Sequence, residues 1–485
     1  MNKRLKNMPR IFGGGAILAI LFVLTIWIQS GVSQEDHPGQ DTYEQFCATC
    51  HGTDLKGGNG SSLVDGEWNF GSDRGAITGN ITQGIPERGM PAFGSMLSDE
   101  QVDELIDYIS EAEKQATESG MPDAPETVRT LDYEVNVKVF AHDLEIPWAI
   151  DFIDENTALI TERPGRLRIV ENGQLLEDHI QGTPEVLHAG QGGLMDVAVD
   201  PEYDENQWIY LAYSHALDTG GGRAPAMTRI VRGKIQDNQW TDQEVIFEAP
   251  HDMYRTTRHH YGSRIVFDKE GYLYFAIGDR GARQHAQDLS RPNGKVHRIN
   301  RDGSIPNDNP FVDRRGAMKS IFTYGNRNPQ GLAVHPETDR VWGAEHAPRG
   351  GDELNLLQAG ANYGWPVISY GINYNGTVLT EKREAEGMLQ PNLYWRPSIA
   401  VCGTDFYDGD LFSYWKNYLI VSALAYEEVR ILNIVDDRVI HQEVILKDAG
   451  RVREAVAGPD GAIYAVLNDP HMVVKMTPVN GWDPI

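Results

Sequence analysis

One short pattern returns six times across residues 148–457: an apolar strand, a tight polar turn and a second strand. Its openings are Trp148-Ala149-Ile150-Asp151-Phe152, Gly193-Leu194-Met195-Asp196-Val197, Ser263-Arg264-Ile265-Val266-Phe267, Gln330-Gly331-Leu332-Ala333-Val334, Gly403-Thr404-Asp405-Phe406-Tyr407 and Glu454-Ala455-Val456-Ala457. Turns such as Asp200-Pro201, His335-Pro336 and Pro459-Asp460-Gly461 close several of them. No such unit can bury its faces alone. Radial stacking of six predicts a mostly β, six-bladed propeller. A pair of β-sandwiches is the alternative, but sandwiches do not repeat so regularly. In a propeller one end of the central channel collects loops from every blade, and the site is expected there.

Ahead of the repeats stands Cys47-Ala48-Thr49-Cys50-His51, a C-x-x-C-H segment. Two cysteines at this spacing can hold a porphyrin by thioethers while His51 takes the iron, the attachment pattern of haem c. A zinc site would need further ligands close by, and a redox dithiol a βαβ context. Met90, in Gly89-Met90-Pro91, offers the second axial ligand, with Met96 as its rival. Ser98-Asp99-Glu100-Gln101 starts a helix whose Val102, Leu105, Ile106 and Ile109 share one face. Residues 35–117 thus form an all-α cytochrome c domain. The polar stretch 118–131, with Pro122 and Pro125, reads as a linker, and 132–485 as the propeller.

Lys3, Arg4, Lys6 and Arg10 precede an apolar run from Ile11 to Ile28, so residues 1–34 read as a signal anchor or signal peptide. Either form sends the remaining chain to the periplasm, tethered to the inner membrane if the segment stays. The net charge of −27 argues against nucleic acid as a partner. Cys402, the third cysteine, reads as a small buried residue.

The loops before and within the repeats carry more special residues than a scaffold needs. Arg451 and Arg453 alternate, so on a strand both point to one side, and two guanidinium forks there suit a ligand with several carboxylates. His260 offers a general base, with Asp279 to hold its other nitrogen. Glu353 and nearby carbonyls offer oxygen to calcium.

Taken together, Ile321 through Gly331, Asp352-Glu353-Leu354-Asn355 and Asn362-Tyr363-Gly364-Trp365-Pro366 resemble the quinoprotein sugar dehydrogenases of the soluble glucose dehydrogenase and aldose sugar dehydrogenase type, over about Val135 to Pro478. The resemblance implies pyrroloquinoline quinone (PQQ) held with calcium over the propeller mouth. It implies Gln191 contacting the quinone, His260 as the base, Asp279 orienting it, and Arg327 and Asn328 beside the quinone oxygen. It implies Arg451 and Arg453 as carboxylate clamps and the carbonyls of Ala347 and Pro348 as ligands of the cofactor calcium. Glu353 and the carbonyl of Tyr363 resemble a further calcium site. Three departures concern the sugar pocket: Ala347 stands where glycine is usual, Ser422 through Glu427 lack a cofactor-contacting lysine, and Arg396 stands near the place of a tryptophan.

The expected activity is oxidation of an aldose, or a related alcohol, to its lactone, with hydride to PQQ and electrons to one covalent haem c and then a respiratory acceptor. A calcium-dependent lactonase propeller is the alternative, and a non-catalytic binding propeller attached to a cytochrome is another. Hydrolysis moves no electrons, so the haem pattern disfavours the lactonase.

Overall fold

The computed structural model describes residues 37–52, 55, 62–64, 68, 70–71, 73–85, 90–118 and 127–479. The segment 1–34 read as a signal anchor lies outside them, as do the Cys50 side chain and 119–126 of the expected linker. Among the described residues no helix is long and apolar enough to cross a membrane.

Six antiparallel sheets form the propeller: five of four strands and one of five. The inner strands of blades one to six are Pro147–Asp154, Leu194–Val199, Ile265–Phe267, Pro329–Val334, Val401–Phe406 and Val452–Ala457. Each carries one of the six openings found in the sequence. Leu194–Val199, Pro329–Val334 and Val401–Phe406 are buried almost end to end, because both faces of a blade pack against its neighbours, so they read as apolar runs rather than alternations.

The sixth blade closes the ring. Its inner strands come from the C-terminal end, and its outer strands, Glu134–Ala141 and Thr127–Arg129, come from before blade one. Val135 pairs with Pro478 and Val137 with Met476, so main-chain hydrogen bonds within one blade join the chain before blade one to the chain's last strand. The strand Thr127–Arg129 falls within the segment expected to be linker. It is short and lies on the outer edge of its sheet, so it carries no apolar pattern to announce it.

Among the described residues ahead of the propeller the helices are Gln40–Phe46, Ala48–His51, Arg74–Gln83 and Asp99–Glu118. Gln40–Phe46 and Ala48–His51 are separated by Cys47 at φ −111°. Helix Asp99–Glu118 opens on a capping box: Ser98 Oγ accepts the Gln101 N–H at 3.2 Å, and Gln101 Oε1 accepts the Ser98 N–H at 3.1 Å. Val102, Leu105, Ile106 and Ile109 bury its inward face against Tyr43, Ile77 and Ile81.

Candidate active site

His260 and Asp279 meet as the sequence reading expects. Nδ1 of His260 lies 2.6 Å from Asp279 Oδ1. The histidine side chain is 14% exposed and the carboxylate 1% exposed, so the pair is largely shielded from water, on the loops that enter Ile265–Phe267 and leave Tyr272–Ile277. His260 sits at φ +57° and Arg280, just past Asp279, at φ +52°. Left-handed backbone on two non-glycine residues beside one pair is strain held by the surrounding structure, a recurring feature of functional sites. Gly278 allows the approach, because a Cβ there would strike the His260 carbonyl and Asn328 Oδ1.

Burial lowers the His260 pKa, Arg327 lowers it further, and Asp279 opposes both. Burial alone would raise the Asp279 pKa. The neighbouring His260, Arg327 and the Gly281 N–H outweigh it and hold that carboxyl below the usual range. An ionised Asp279 accepts only, so Nδ1 of neutral His260 carries the proton and Nε2 is left as a base.

Gln191, Arg327, Asn328 and Arg453 are tied toward this pair through their neighbours, whereas for Arg451 only the main chain is placed. Gln191 Oε1 accepts the His260 N–H at 2.7 Å. Arg327 donates to the carbonyls of His346 and Ala347 at 2.9 and 2.8 Å. Asn328 Oδ1 accepts the Gly262 N–H at 3.2 Å. Arg453 is fixed by Asn468 Oδ1 at 2.7 Å, Gln330 Oε1 at 3.1 Å and Cys402 Sγ at 3.3 Å. Arg451 is two residues before it on the same edge, its main chain tied to Asp469 and Asn468. His346, whose sequence signal was only its place before Ala347, lies close enough to Arg453, Arg327 and His260 for each to lower its pKa after burial has done so. Its Nε2 is buried without a hydrogen-bond partner among the described residues.

Beside Arg327 is a small cavity lined by Glu345, Ala347, Glu353, Tyr363 and Trp365 among others. The buried carboxyl of Glu345 and the half-buried one of Glu353 share it. Burial drives Glu353 well above its ordinary pKa, and the charges of Glu345 and Asp352 add to the rise. Glu345 is already occupied: it accepts the Arg327 N–H at 2.6 Å and Asn326 Nδ2 at 3.0 Å. Glu353 receives only a long bond from Asn355, 3.4 Å, and keeps acceptor capacity.

Among the described residues no three His, Cys, Asp or Glu side chains converge on one point, so a cation held here would need backbone oxygens and water as well. That donor set suits a hard cation such as calcium. The carbonyls of Ala347 and Pro348 each accept one protein donor, Arg327 at 2.8 Å and Ser398 at 3.3 Å, and each keeps a second lone pair. The role of Glu345 in fixing the Arg327 main chain was missed in the sequence, where it is one more acidic residue ending a strand.

A separate open groove at Asp200, Glu202, Trp208, Arg232 and Arg301 contains none of these residues. It is walled by ion pairs such as Arg301–Asp200 at 2.7 Å.

In the helical region Cys47 and Met90 both border the apolar cluster of Tyr43, Ile77, Leu97 and Leu105. Met96 is 54% exposed. Met90 therefore has the enclosed setting an axial thioether needs. Replacing Met90 with Ala is expected to change the haem absorption spectrum and lower the reduction potential, while Met96→Ala leaves both as they were; redox titration of the two variants checks this.

Residues 144–474 match the family described as "Glucose / Sorbosone dehydrogenase", and residues 34–109 match "Cytochrome C oxidase, cbb3-type, subunit III". The aldose sugar dehydrogenase YliI of Escherichia coli is 39% identical over 353 residues, covering 71% of this chain and 94% of the relative. The quinoprotein glucose dehydrogenase B of Acinetobacter calcoaceticus is 31% identical over 258 residues, 48% of this chain and 52% of the relative. The crystal structure of the soluble aldose sugar dehydrogenase of Escherichia coli in the apo form superposes with a TM-score of 0.66 at 36% identity, covering 71% of this chain and all of that one.

Proposed function

The chain belongs to the glucose/sorbosone dehydrogenase family and is a sugar dehydrogenase with a cytochrome c domain at its N-terminus, and on that premise we propose that it oxidises an aldose, or a related alcohol, to the lactone with PQQ as resident oxidant and haem c as the next electron carrier. The observation that carries this reading is the buried His260–Asp279 pair set beside Arg327 at the propeller mouth. The name of the Acinetobacter relative, a quinoprotein, agrees with it.

When bound, PQQ supplies a quinone carbonyl that takes hydride, calcium polarises that carbonyl, and haem c takes up electrons singly. The protein's own work is positioning and proton transfer. Nε2 of His260 receives the proton of the hydroxyl on the carbon being oxidised. Asp279 stabilises the imidazolium that results and holds the ring in the productive tautomer. Arg327 provides fixed positive charge where negative charge develops. Gln191 and Asn328 would border the cofactor, and Arg451 and Arg453 would hold its carboxylates. The carbonyls of Ala347 and Pro348 would hold one calcium, and Glu353 with the carbonyl of Tyr363 another. In the helical domain Cys47 and Cys50 would carry the porphyrin, with His51 and Met90 on the iron. Thioether attachment of haem belongs with export, so the working site is the periplasm, with a respiratory acceptor for the electrons.

The test is reconstitution of the purified full chain with PQQ, calcium and an aldose while haem absorbance is followed. Haem reduction only when all three are present is the expected result. Lactone hydrolysis with calcium alone and an unchanged haem would establish the hydrolase instead, and no response of either kind would leave only a binding propeller.

A further inference from the structure

Asp279 has a third side-chain or main-chain donor besides His260 and Gly281, and it comes from another blade. Nε1 of Trp365 lies 2.9 Å from Asp279 Oδ2, on the carboxylate whose Oδ1 faces His260 at 2.6 Å and accepts the Gly281 N–H at 2.8 Å. Trp365 is 5% exposed. Its main chain is clamped on both sides: its N–H donates to the Gly325 carbonyl at 2.7 Å, and its carbonyl accepts Gln287 Nε2 at 2.7 Å. The ring therefore has little freedom to follow Asp279 and instead dictates where that carboxylate stands. The face of the same indole carries the Arg327 guanidinium, 5.4 Å from a ring centre, and Arg283 at 5.7 Å.

We propose that Trp365 is a positioning residue for the proton-transfer pair: its indole N–H fixes Oδ2 of Asp279, which aims Oδ1 at His260 Nδ1 and leaves Nε2 as the base, while its ring face sets Arg327 beside them. An indole donates and never accepts, so it can only favour the ionised carboxylate. Hydrogen bonds to charged groups are among the stronger kind, and this one is buried. The role rests on the dehydrogenase reading given above, because Trp365 acts through His260.

Trp365→Phe keeps the ring and removes the donor. The groups facing His260 are Asp279, Arg327, Arg280, His346 and His259, and the substitution removes none of them. Asp279, one donor poorer, concentrates more of its negative charge on His260 and raises the basicity of the imidazole. In the full chain reconstituted with PQQ and calcium, sugar-dependent turnover is expected to fall roughly 10- to 100-fold, with the KM for sugar kept within about twofold. The acid limb of its pH profile is expected to move to higher pH. In a cycle with Asp279→Asn, the double variant is expected to lose little more than Asp279→Asn alone.

Histidine NMR titration of the same proteins without cofactor gives an independent measure, and the His260 midpoint should rise in Trp365→Phe. Turnover and midpoint equal to the parent's would overturn the proposal. So would a loss that is fully additive with Asp279→Asn and comes with an unmoved midpoint, which marks a merely structural role. If the unsubstituted chain oxidises no sugar, the dehydrogenase reading fails by that result, and the NMR midpoints still decide whether Trp365 controls His260.

Discussion

His260→Ala is expected to lower turnover by roughly 10²–10⁴-fold while PQQ still binds, because the step it removes is proton transfer and the cofactor contacts lie on other residues. The substitution also leaves Asp279, 1% exposed, without its imidazole. His260→Gln restores an amide donor for that carboxylate but supplies no base, so a loss of similar size in both variants isolates the missing base from the disturbed pair. Steady-state rates and cofactor titration by absorbance decide this, and turnover retained within a few-fold in either variant would remove His260 from the reaction.

The same residue sets the expected pH dependence. His260 must be neutral to act, and burial followed by Arg327 holds its pKa below the ordinary 6.5. The acid limb of the activity profile, where the imidazole takes up a proton, is therefore expected to be centred below pH 6.5. An acid limb centred above 6.5 would contradict the assignment.

The parts of this protein legible in its sequence are those carried by short contiguous segments. All six inner strands announced themselves, because each opens on the same short apolar pattern and the pattern recurs from blade to blade. The haem segment is contiguous for the same practical reason: two thioethers and an axial histidine must come from one turn of chain. His260 and Asp279 are 19 residues apart and belong to one blade, so their pairing could be argued from the repeat. What stayed hidden depends on contacts that no contiguous segment carries. Trp365 reaches Asp279 across 86 residues. Glu345 organises Arg327 through a main-chain N–H, a contact that no residue pattern encodes. The outer strand Glu134–Ala141 does alternate, with Val135, Val137 and Val139 between polar residues, but nothing local shows that it pairs with the far end of the chain.

Arg264→Met is expected to destabilise the propeller by about 3–5 kcal/mol, the range for removing one partner from a buried ionic cluster. Arg264 is 3% exposed and stands at the channel where five blades meet. Its guanidinium pairs with Asp196 of blade two at 2.7 Å and with Glu454 of blade six, donates to the Gln330 carbonyl of blade four at 3.2 Å, and lies 4.4 Å from the Trp148 ring centre of blade one. Both carboxylates also accept a main-chain N–H from the next blade: Asp196 from Ile265 at 2.6 Å and Glu454 from Ile150 at 2.7 Å. Methionine keeps the volume and removes the charge, leaving two buried carboxyls that repel.

The cluster holds two acids for one arginine. Burial raises the Glu454 pKa to about 8, against the pull of Arg264 and with the charge of Asp196 adding to the rise. A carboxyl whose folded pKa is raised contributes most below its unfolded value, and that contribution declines as pH climbs toward the folded one. Glu454→Gln does not titrate, keeps a carbonyl for the Ile150 N–H, and is therefore expected to gain on the parent between about pH 4.5 and 8. Denaturant midpoints followed by tryptophan fluorescence at several pH values test both substitutions. A midpoint untouched by Arg264→Met, or a Glu454→Gln variant that loses ground as pH rises, would mean that the blades are held together without this cluster.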